Sequence, residues 1–463
     1  MFKREIIVPL SFGDEGKGRL SLDLITETKA DMTIRHSGGC QGSHYVRFND
    51  KVHYASQLSV GMVKSPQLIT LIGKDVSIRP TSLIGEIEAM EKLGIENVSE
   101  RICFMPESPI LIPAHDFLCQ TREFFSERKI GTTGIGIREL MADVRTGDEE
   151  MVLRVKDLNN GSDWVVKLAR ITEYQLEKAR GLAVDRELIE TGIKKYYERF
   201  PFDWLCQQFE LMKTLGTVWD LDKINDYLLT HRAVFEPAQG TLLDHCYGFK
   251  PNVTSTSTTV KQAMLFLSDD GVRFWMLTRA YFTRHGTGLF MTEDFGGELN
   301  KLSDDNAENP FQGRMRFGWL DMVMLRYSLA VNQQFMNKDA LCQLAITCLD
   351  QLSGLQTIKV CDSYTHLLGE EDRGYFIFDE DDRIVSIRPS LDSPMEEISL
   401  LLEQKCQPHY LEFSGWGTDI SDCTQIEKLP AKARYYLDYI SSCLEMKIGL
   451  ISVGPNLNRK IMV

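Results

Sequence analysis

The sequence predicts an α/β fold built on a large, central, mostly parallel sheet that is flanked by helices. The first observation is a series of short apolar runs, rich in β-branched residues and bounded by Gly, Pro or Asp. These runs lack the alternation of a half-exposed strand, so we expect strands that are buried on both faces. In chain order they are EIIVPL, QLITLIG, RICFMP, RAVFEP, FWMLTRAYFT, CQLAITCL, TIKVC and GLISVG.

The second observation is that helical patterns separate these runs. The clearest are SLIGEIEAMEKLG, WLDMVMLRYSLAVN, SPMEEISLLLEQ and LPAKARYYLDYISSCLEM. Such alternation predicts parallel strands joined by helical crossovers. From about residue 155 to 229 the chain becomes polar and helical, which predicts an inserted helical subdomain. No repeat or linker divides the rest, so the length is compatible with two to four domains or with one large α/β domain with insertions.

Composition narrows the class of protein. The chain has 463 residues, of which 43% are hydrophobic and 25% charged, as is typical of globular proteins. A formal net charge of −14 argues against a nucleic-acid surface, so any anionic ligand must be held by local groups. The 11 cysteines include no CxxC pair, which disfavours a zinc ribbon or a disulfide framework. Because no signal peptide or membrane span is evident, we expect a cytoplasmic protein without membrane or nucleic-acid partners.

A glycine-rich loop follows the first predicted strand. The segment SFGDEGKGRLSLD looks like a phosphate-binding loop, but it lacks the first glycine and the final hydroxyl of the pattern GxxxxGK[S/T]. Gly13, Gly16 and Gly18 would let backbone amides face an anion, and Lys17 would add a full positive charge. A tight turn with a solvated surface is the alternative interpretation of this motif alone.

The same loop carries two adjacent acids, Asp14 and Glu15. A carboxylate beside a phosphate is repelled unless a cation lies between them or the carboxylate accepts a proton, and both roles fit chemistry at a nucleotide. A second glycine stretch, HSGGCQGSHYV, contains His44, which could donate to a phosphoryl group in transfer. A purely structural histidine is the alternative at that position.

Three further polar stretches are candidate binding segments. Thr132 and Thr133 lie among glycines in KIGTTGIGI, where hydroxyls and amides could bind a phosphate or form an ordinary turn. The stretch FEPAQGTLLDHCYGFKPNVTSTSTT is long for a loop, which is typical of functional segments. Arg314 and Arg316 in GRMRFGWLD suit bidentate binding of carboxylates or phosphates, with surface ion pairing as the alternative.

Together, these segments resemble the motifs of adenylosuccinate synthetases, in the order found in that family. The matching motifs are GDEGKG, the GG..G.H stretch, IGTTG, AQGTLLD, VTS, TR.G.G, GWLD and S.GP, and they extend over essentially the whole chain. The resemblance implies a P-loop-NTPase-like synthetase fold, in which residues 1–463 form a single domain that includes the helical subdomain at about 155–229. It also implies a magnesium-dependent ligase that uses GTP to join L-aspartate to IMP through a 6-phosphoryl intermediate.

The resemblance implies a role for each matching residue of the phosphate-transfer site. Asp14 would accept the N1 proton of IMP while O6 attacks the γ-phosphate, and it would help to bind Mg²⁺ together with the backbone carbonyl of Ser43. Lys17 and His44 would stabilise charge on the phosphoryl group in transfer. The remaining residues of the nucleotide phosphate loop are Gly13, Glu15, Gly16 and Gly18.

Other matching residues are implied to bind the three substrates of a homodimeric enzyme. The acceptor-nucleotide site would contain Gln41, Thr132, Thr133, Gln239, Leu243 and Thr254, completed by Arg145 reaching across from the other subunit. Arg314 and Arg316 would bind the carboxylates of aspartate. The guanine-binding pocket would contain Asp350, Ser452, Gly454 and Pro455.

Several positions depart from the family pattern. GGCQGSHY replaces GG.NAGHT, so Gln41, Ser43 and Tyr45 stand where Asn, Gly and Thr are usual. FQGR replaces TTGR, which puts Phe311 and Gln312 in place of two hydroxyl side chains.

Two more departures lie near the nucleotides: Cys348 replaces the lysine of the family's KxD motif, and His285 replaces a small apolar residue near the ribose. They leave open a relative of the phage enzymes that act on dGMP or a modified purine nucleotide, with ATP in place of GTP. The retained Asp14 favours IMP. A non-catalytic GTP-binding module is the alternative of another class, which the retained base and paired arginines oppose.

Overall fold

The computed structural model describes residues 2–48, 51–127, 130–182, 185–267, 271–299, 302, 311–454 and 459–463. The chain divides into two compact units. The first unit contains Met1–Lys17, Gln239–Glu308 and Gly313–Val463, and the second contains Gly18–Ala238 and Asn309–Gln312.

Strands and helices are numbered in chain order within these residues. The strands are β1 (Arg4–Pro9), β2 (Met32–Arg35), β3 (His44–Phe48), β4 (Lys51–Ala55), β5 (Ile69–Ile72), β6 (Ile102–Phe104), β7 (Thr217–Val218), β8 (Ala233–Glu236), β9 (Val272–Arg279), β10 (Phe282–His285), β11 (Met315–Gly318), β12 (Leu320–Asp321), β13 (Leu341–Thr347), β14 (Thr357–His366), β15 (Phe376–Phe378), β16 (Ile384–Ile387), β17 (Cys406–Ser414), β18 (Ile448–Ser452) and β19 (Lys460–Met462). The helices are α1 (Lys17–Thr28), α2 (Pro80–Lys92), α3 (Pro113–Phe125), α4 (Ile137–Thr146), α5 (Asp163–Arg180), α6 (Arg186–Arg199), α7 (Phe202–Lys213), α8 (Leu221–Thr230), α9 (Met322–Gln333), α10 (Met395–Lys405) and α11 (Ala431–Cys443).

In the first unit, hydrogen-bonded strands follow the order β19-β18-β13-β9-β1, and all neighbouring pairs are parallel except β18 with β19. Ile6, Ile7 and Val8 are consecutive in β1, yet each is at most 1% exposed. Both faces of this strand are therefore covered, which explains why its sequence does not alternate. Because the strands are parallel, β1, β9, β13 and β18 all end at the same edge of the sheet.

The first unit also contains a smaller sheet, with strand order β12-β14-β16-β15 and β17 paired to β14. Helix α9 packs against β14 and β16, whereas α10 and α11 pack against β17. A separate antiparallel pair, β10 with β11, places Arg284 opposite Arg316 and His285 opposite Met315.

In the second unit, the strand order is β8-β2-β5-β6-β7, and every neighbouring pair is parallel. The antiparallel hairpin β3–β4 begins at His44. Helix α3 packs against α4 and α5, and α2 packs against α7. Between residues 155 and 229 the chain contains α5, α6, α7 and α8 with the short β7. That this segment is a subdomain of its own stays a prediction.

The predicted class, α/β with a mostly parallel sheet flanked by helices, is confirmed. Two predicted runs differ in detail. FWMLTRAYFT is not one strand, because β9 ends at Arg279 and β10 begins at Phe282 in a different strand pair. TIKVC lies in β14 of the smaller sheet, where it pairs antiparallel with β17. Among the helices described, none combines the length and the apolarity that a membrane span requires.

Candidate active site

The phosphate loop connects β1 to α1 and turns through left-handed backbone conformations. Gly13, Asp14 and Gly16 have φ values of +97°, +56° and +86°. Glycine adopts such values readily, whereas Asp14 needs support from its surroundings. A Cβ atom at Gly13 would lie 3.5 Å from the Cα atom of Gln239. The first unit therefore brings the predicted phosphate loop against the segment that begins the AQGTLLD motif.

Glu15 is an internal brace of this loop. Its carboxylate is fully buried and accepts hydrogen bonds from the backbone N and the Oγ of Ser11, at 2.5 and 2.6 Å, and from Lys17 Nζ at 3.4 Å. Burial raises the pKa of Glu15, while the charge of Lys17 and the bonds from Ser11 oppose the rise. The serine that departs from the standard loop pattern thus has a specific partner.

Asp14 is only half-buried, unlike its neighbour Glu15. Its carbonyl oxygen accepts a hydrogen bond from Arg279 Nε, and the next carbonyl, that of Glu15, accepts one from Thr347 Oγ1 at 2.7 Å. Arg279 ends β9 and Thr347 ends β13, so the edge of the sheet fixes the backbone on which Asp14 lies. The structure thus separates the acid pair into an internal carboxylate and an accessible one.

In the second unit, His44 is paired with Glu236, a residue that the sequence analysis missed. His44 Nδ1 donates to Glu236 Oε1, and Ser21 and Ser59 donate to Oε2 at 2.8 and 3.0 Å. Burial alone would raise the pKa of Glu236, but the charge of His44, its hydrogen bond and the charge of Arg35 lower that pKa to about 2. The sequence signal that could have identified Glu236 is a carboxylate at the end of a buried strand, in the segment FEPAQG.

His44 also explains the second departure of the loop from the standard pattern. A Cβ atom at Gly18 would lie 2.7 Å from the Cβ atom of His44, closer than side chains approach. Serine or threonine, the usual residues at that position, would therefore collide with the histidine. Gly18 is required by the packing of the β3 start on α1 rather than by its own backbone angle.

The second unit holds several residues predicted to bind the acceptor nucleotide. Both polar atoms of the Gln41 side chain and the Oγ of Ser77 are buried without a hydrogen-bond partner within the described part of the chain. Unsatisfied buried polar atoms are costly and indicate a missing polar ligand or water. Ser43, two residues after Gln41, is exposed.

The IGTTG loop is held by helix α3. Glu123 accepts from Gly131 N at 2.8 Å, and Gln120 Nε2 donates to Gly134 O at 2.9 Å. The hydroxyl of Thr132 accepts from Gly134 N at 3.2 Å, so this side chain shapes the turn, while Thr133 is half-buried. Arg145, near the end of α4, is exposed.

Three other predicted acceptor-binding residues, Gln239, Leu243 and Thr254, lie in the first unit. Thr254 N donates to Leu243 O at 2.9 Å, which joins the VTS motif to AQGTLLD. Gln239 has a left-handed φ of +62°, and its buried Oε1 has no hydrogen-bond partner in the described residues. The amide therefore remains available to a polar ligand beside the phosphate loop.

The two arginines predicted to bind aspartate differ in their surroundings. Arg316 Nη1 donates to the carbonyls of Gly286 and Gly288, at 2.9 Å each, and Nη2 pairs with Glu293. Arg314 is exposed. In the second unit, Phe311 packs on the IGTTG loop, since a Cβ atom at Gly134 would lie 2.6 Å from its ring.

The predicted guanine-binding residues lie at the ends of neighbouring parallel strands. Asp350 follows β13, and Ser452 ends β18, whose Ile451 is the partner of Ile346. Burial raises the pKa of Asp350, and the charge of Asp419 raises it further. Ser452 and Gly454 are buried, and Pro455 lies outside the described residues. Carboxyl ends of parallel strands are where α/β folds bind nucleotides.

Known proteins with similar sequences and structures are adenylosuccinate synthetases. The family model for adenylosuccinate synthetase matches residues 6–461. The adenylosuccinate synthetase of Clostridium kluyveri is 30% identical, with 98% of each chain covered. The fully ligated adenylosuccinate synthetase of Plasmodium falciparum has a TM-score of 0.76 at 25% identity, with 100% of both chains covered.

A more distant structural relative is the succinoaminodeoxyadenylate synthetase of cyanophage S-2L, whose structure contains dGMP and dATP as an energy donor. It has a TM-score of 0.56 at 12% identity, and the match covers 100% of this chain and 95% of that one. At this identity the likeness shows a shared fold.

Proposed function

The chain belongs to the adenylosuccinate synthetase family and is a ligase, and from this premise we propose that it joins L-aspartate to C6 of IMP while GTP is converted to GDP and phosphate. The 6-oxo group of hypoxanthine is a poor leaving group, so an amine displaces it only after its conversion into a phosphate ester. The reaction therefore needs phosphoryl transfer to O6, followed by attack of the aspartate amine at C6 with loss of phosphate.

Asp14 is the proposed general base, which removes the N1 proton as O6 attacks the γ-phosphate. The observation that carries this proposal is the separation of the acid pair. Glu15 is buried and bonded to Ser11 and Lys17, whereas Asp14 is half-buried on a backbone that Arg279 holds. A base must be positioned and accessible, and of these two acids Asp14 is the accessible one.

Lys17 and His44 are the proposed donors to the phosphoryl group in transfer. Preorganised donors stabilise developing charge because they need not reorient during the reaction. Glu236 accepts the Nδ1 proton of His44 and thereby orients the ring. We therefore propose Glu236 as the positioning residue for His44.

Mg²⁺ fits the donor chemistry of this chain. The described residues contain no cluster of three His, Cys, Asp or Glu side chains that could hold a metal ion, and Mg²⁺ in phosphoryl-transfer enzymes is usually held by one or two carboxylates together with substrate phosphates. Asp14 supplies such a carboxylate, and the backbone of Ser43 is the second proposed ligand. When bound, Mg²⁺ would neutralise charge on the phosphates.

An omission series tests the proposed function. The purified protein is mixed with GTP, Mg²⁺, IMP and aspartate, and phosphate release and adenylosuccinate are measured together. We expect both products in the complete mixture and neither when any component is left out. Product from dGMP but not from IMP would replace the proposed acceptor, and ATP in place of GTP tests the energy donor. GTP hydrolysis without ligation, or binding alone, would contradict the ligase.

A homodimer with shared sites is part of the proposal, because Arg145 is exposed and the resemblance implies that it reaches the acceptor nucleotide of the other subunit. Asp14→Asn and Arg145→Leu should each be inactive alone. In a mixed population one hybrid site carries both intact residues, so activity should return to about a quarter of the wild-type value. No recovery after confirmed subunit exchange would overturn the shared site.

A further inference from the structure

The backbone that leads into Arg314 is held by the side chain of His285. In the first unit, His285 ends β10 and lies opposite Met315 at the start of β11. Its Nε2 atom lies 2.9 Å from the carbonyl oxygen of Gly313. A carbonyl oxygen can only accept a hydrogen bond, so Nε2 carries a proton and donates it.

The conformation of Gly313 makes this contact effective. Its φ is +91°, in the region that glycine adopts most readily, so the chain turns here immediately before Arg314. The carbonyl of Gly313 and the N–H of Arg314 belong to one planar peptide group. Holding that carbonyl therefore fixes the direction in which the chain enters Arg314.

The following peptide group is held from the same hairpin. Gly286 N donates to the carbonyl of Arg314 at 3.1 Å. The turn after β10 is in turn held by Arg316, through the carbonyls of Gly286 and Gly288, and by the buried Arg284, which donates to Thr287 O at 3.1 Å. Both peptide groups that flank Arg314 are thus bonded to residues 285–286.

We propose that His285 is a positioning residue for the amino-acid substrate: its hydrogen bond to Gly313 O orients Arg314, whose exposed guanidinium binds a carboxylate of aspartate. The inference rests on the proposed function for the role of Arg314. Arg316 has its two terminal nitrogens occupied by Glu293 and by two carbonyls, so Arg314 is the more available guanidinium. The orientation of the Arg314 backbone matters because the direction of a long exposed side chain is set mainly by the backbone to which it is attached.

Two substitutions at His285 separate donation from mere packing. His285→Leu removes the donor, whereas His285→Gln retains an N–H group at a similar reach. We expect His285→Leu to raise KM for aspartate about five- to tenfold, the effect of losing one hydrogen bond, with kcat and KM for IMP nearly unchanged. His285→Gln should restore most of the loss. His231→Leu, which removes a half-buried histidine at the end of α8, is the matched control and should leave all three constants unchanged.

Limited trypsin digestion gives a readout that does not depend on catalysis. Cleavage after Arg314 releases a fragment that begins at Met315, and this rate should rise about fivefold in His285→Leu, with little change at other sites. Equal KM changes for aspartate and IMP, or no rescue by glutamine, would overturn the positioning role, as would an unchanged cleavage rate. If the wild-type protein makes no product from aspartate, the proposed function fails, and the digestion still decides whether His285 anchors this segment.

Discussion

The phosphate loop and the segment Gly313–Arg316 each contain two like charges close together in sequence. In the first unit, the two members of each pair differ in burial and in hydrogen bonding. In the loop, the Glu15 carboxylate is buried and hydrogen-bonded to Ser11, whereas Asp14 is half-buried. In the segment, Arg316 is bound by Glu293 and two carbonyls, while Arg314 is exposed. In each pair, one charged side chain is bonded within the first unit and the other is more exposed, and the more exposed one is the residue that we propose to contact a ligand.

The two regions differ in where the brace comes from. Within the loop, the partners of Glu15 are Ser11 and Lys17, which lie at most four residues away. The segment depends on the β10–β11 hairpin, which includes His285, a departure from the family pattern. The difference concerns the side-chain contacts, because the backbone carbonyls of Asp14 and Glu15 also accept hydrogen bonds from Arg279 and Thr347 at the edge of the sheet.

The largest expected effect is at Asp14, the accessible acid of the phosphate loop and the proposed general base. Asp14→Asn keeps the size of the side chain but cannot accept the proton, so turnover should fall by roughly 10²–10⁴-fold. The matched control is Asp392→Asn at an exposed position. Steady-state turnover and a melting curve for both variants check the result. Near-normal turnover in Asp14→Asn would remove the distinction between the two acids.

The next largest effect is expected at Glu236 in the second unit, where a buried carboxylate orients His44. Glu236→Gln leaves a neutral partner at His44 Nδ1 that can also donate, so the ring loses its fixed orientation, and turnover should fall by about 10²-fold. Substrate KM values should change much less, because the proposed role of Glu236 is in phosphoryl transfer. Circular dichroism must show that the variant is folded. A change confined to KM would contradict the role.

Arg314→Leu tests the role proposed for the exposed arginine of the segment Gly313–Arg316. Loss of a charge-assisted hydrogen bond to a carboxylate should raise KM for aspartate by roughly 10- to 100-fold. KM for IMP should change little, because one clamp on one substrate is removed. Arg388→Leu, at an exposed position, is the control. If glutamate, glycine or ammonia is a better nucleophile than aspartate, the carboxylate clamp is wrong.

A pH effect on stability follows from the Glu236 network. The pKa of Glu236 in the folded protein, about 2, lies below its ordinary value of 4.5. The ionised carboxylate therefore stabilises the folded state above pH 4.5, and this contribution is lost as the pH falls from 4.5 through 2. Urea unfolding of wild type and Glu236→Gln should show free energies of unfolding that converge in this range. A constant difference between them would indicate that Glu236 is not ionised at neutral pH.

The smallest expected effect concerns the triphosphate. Cys348 has no long alkyl stem to cover a guanine base, while Asp350 can still accept from its N1 and N2. GTP should remain preferred over ATP, but by less than about a thousandfold in kcat/KM. Competition between the two triphosphates measures this ratio. A larger preference would show that the lysine of the usual motif is dispensable for guanine selection.

The sequence alone determined the class of fold and the family. Short apolar runs without alternation predicted buried parallel strands, because a strand covered on both faces needs no polar face, and β1 and β9 follow that rule. The phosphate loop was recognisable because its backbone angles require glycines at specific positions, such as Gly13 and Gly16. Both constraints are local, so they can be recognised from residues that are close together in the sequence.

Tertiary structure decided which polar residues meet. His44 and Glu236 are 192 residues apart and are joined because β3 begins beside the end of β8. Gly18 lacks a hydroxyl because His44 occupies the space, and His285 holds Gly313 because β10 pairs with β11. No periodicity in the sequence encodes such pairs, since each depends on strand pairing and packing between distant segments. Burial and hydrogen bonding, which the motif does not encode, therefore distinguish the two charges of each pair and support the roles proposed for them.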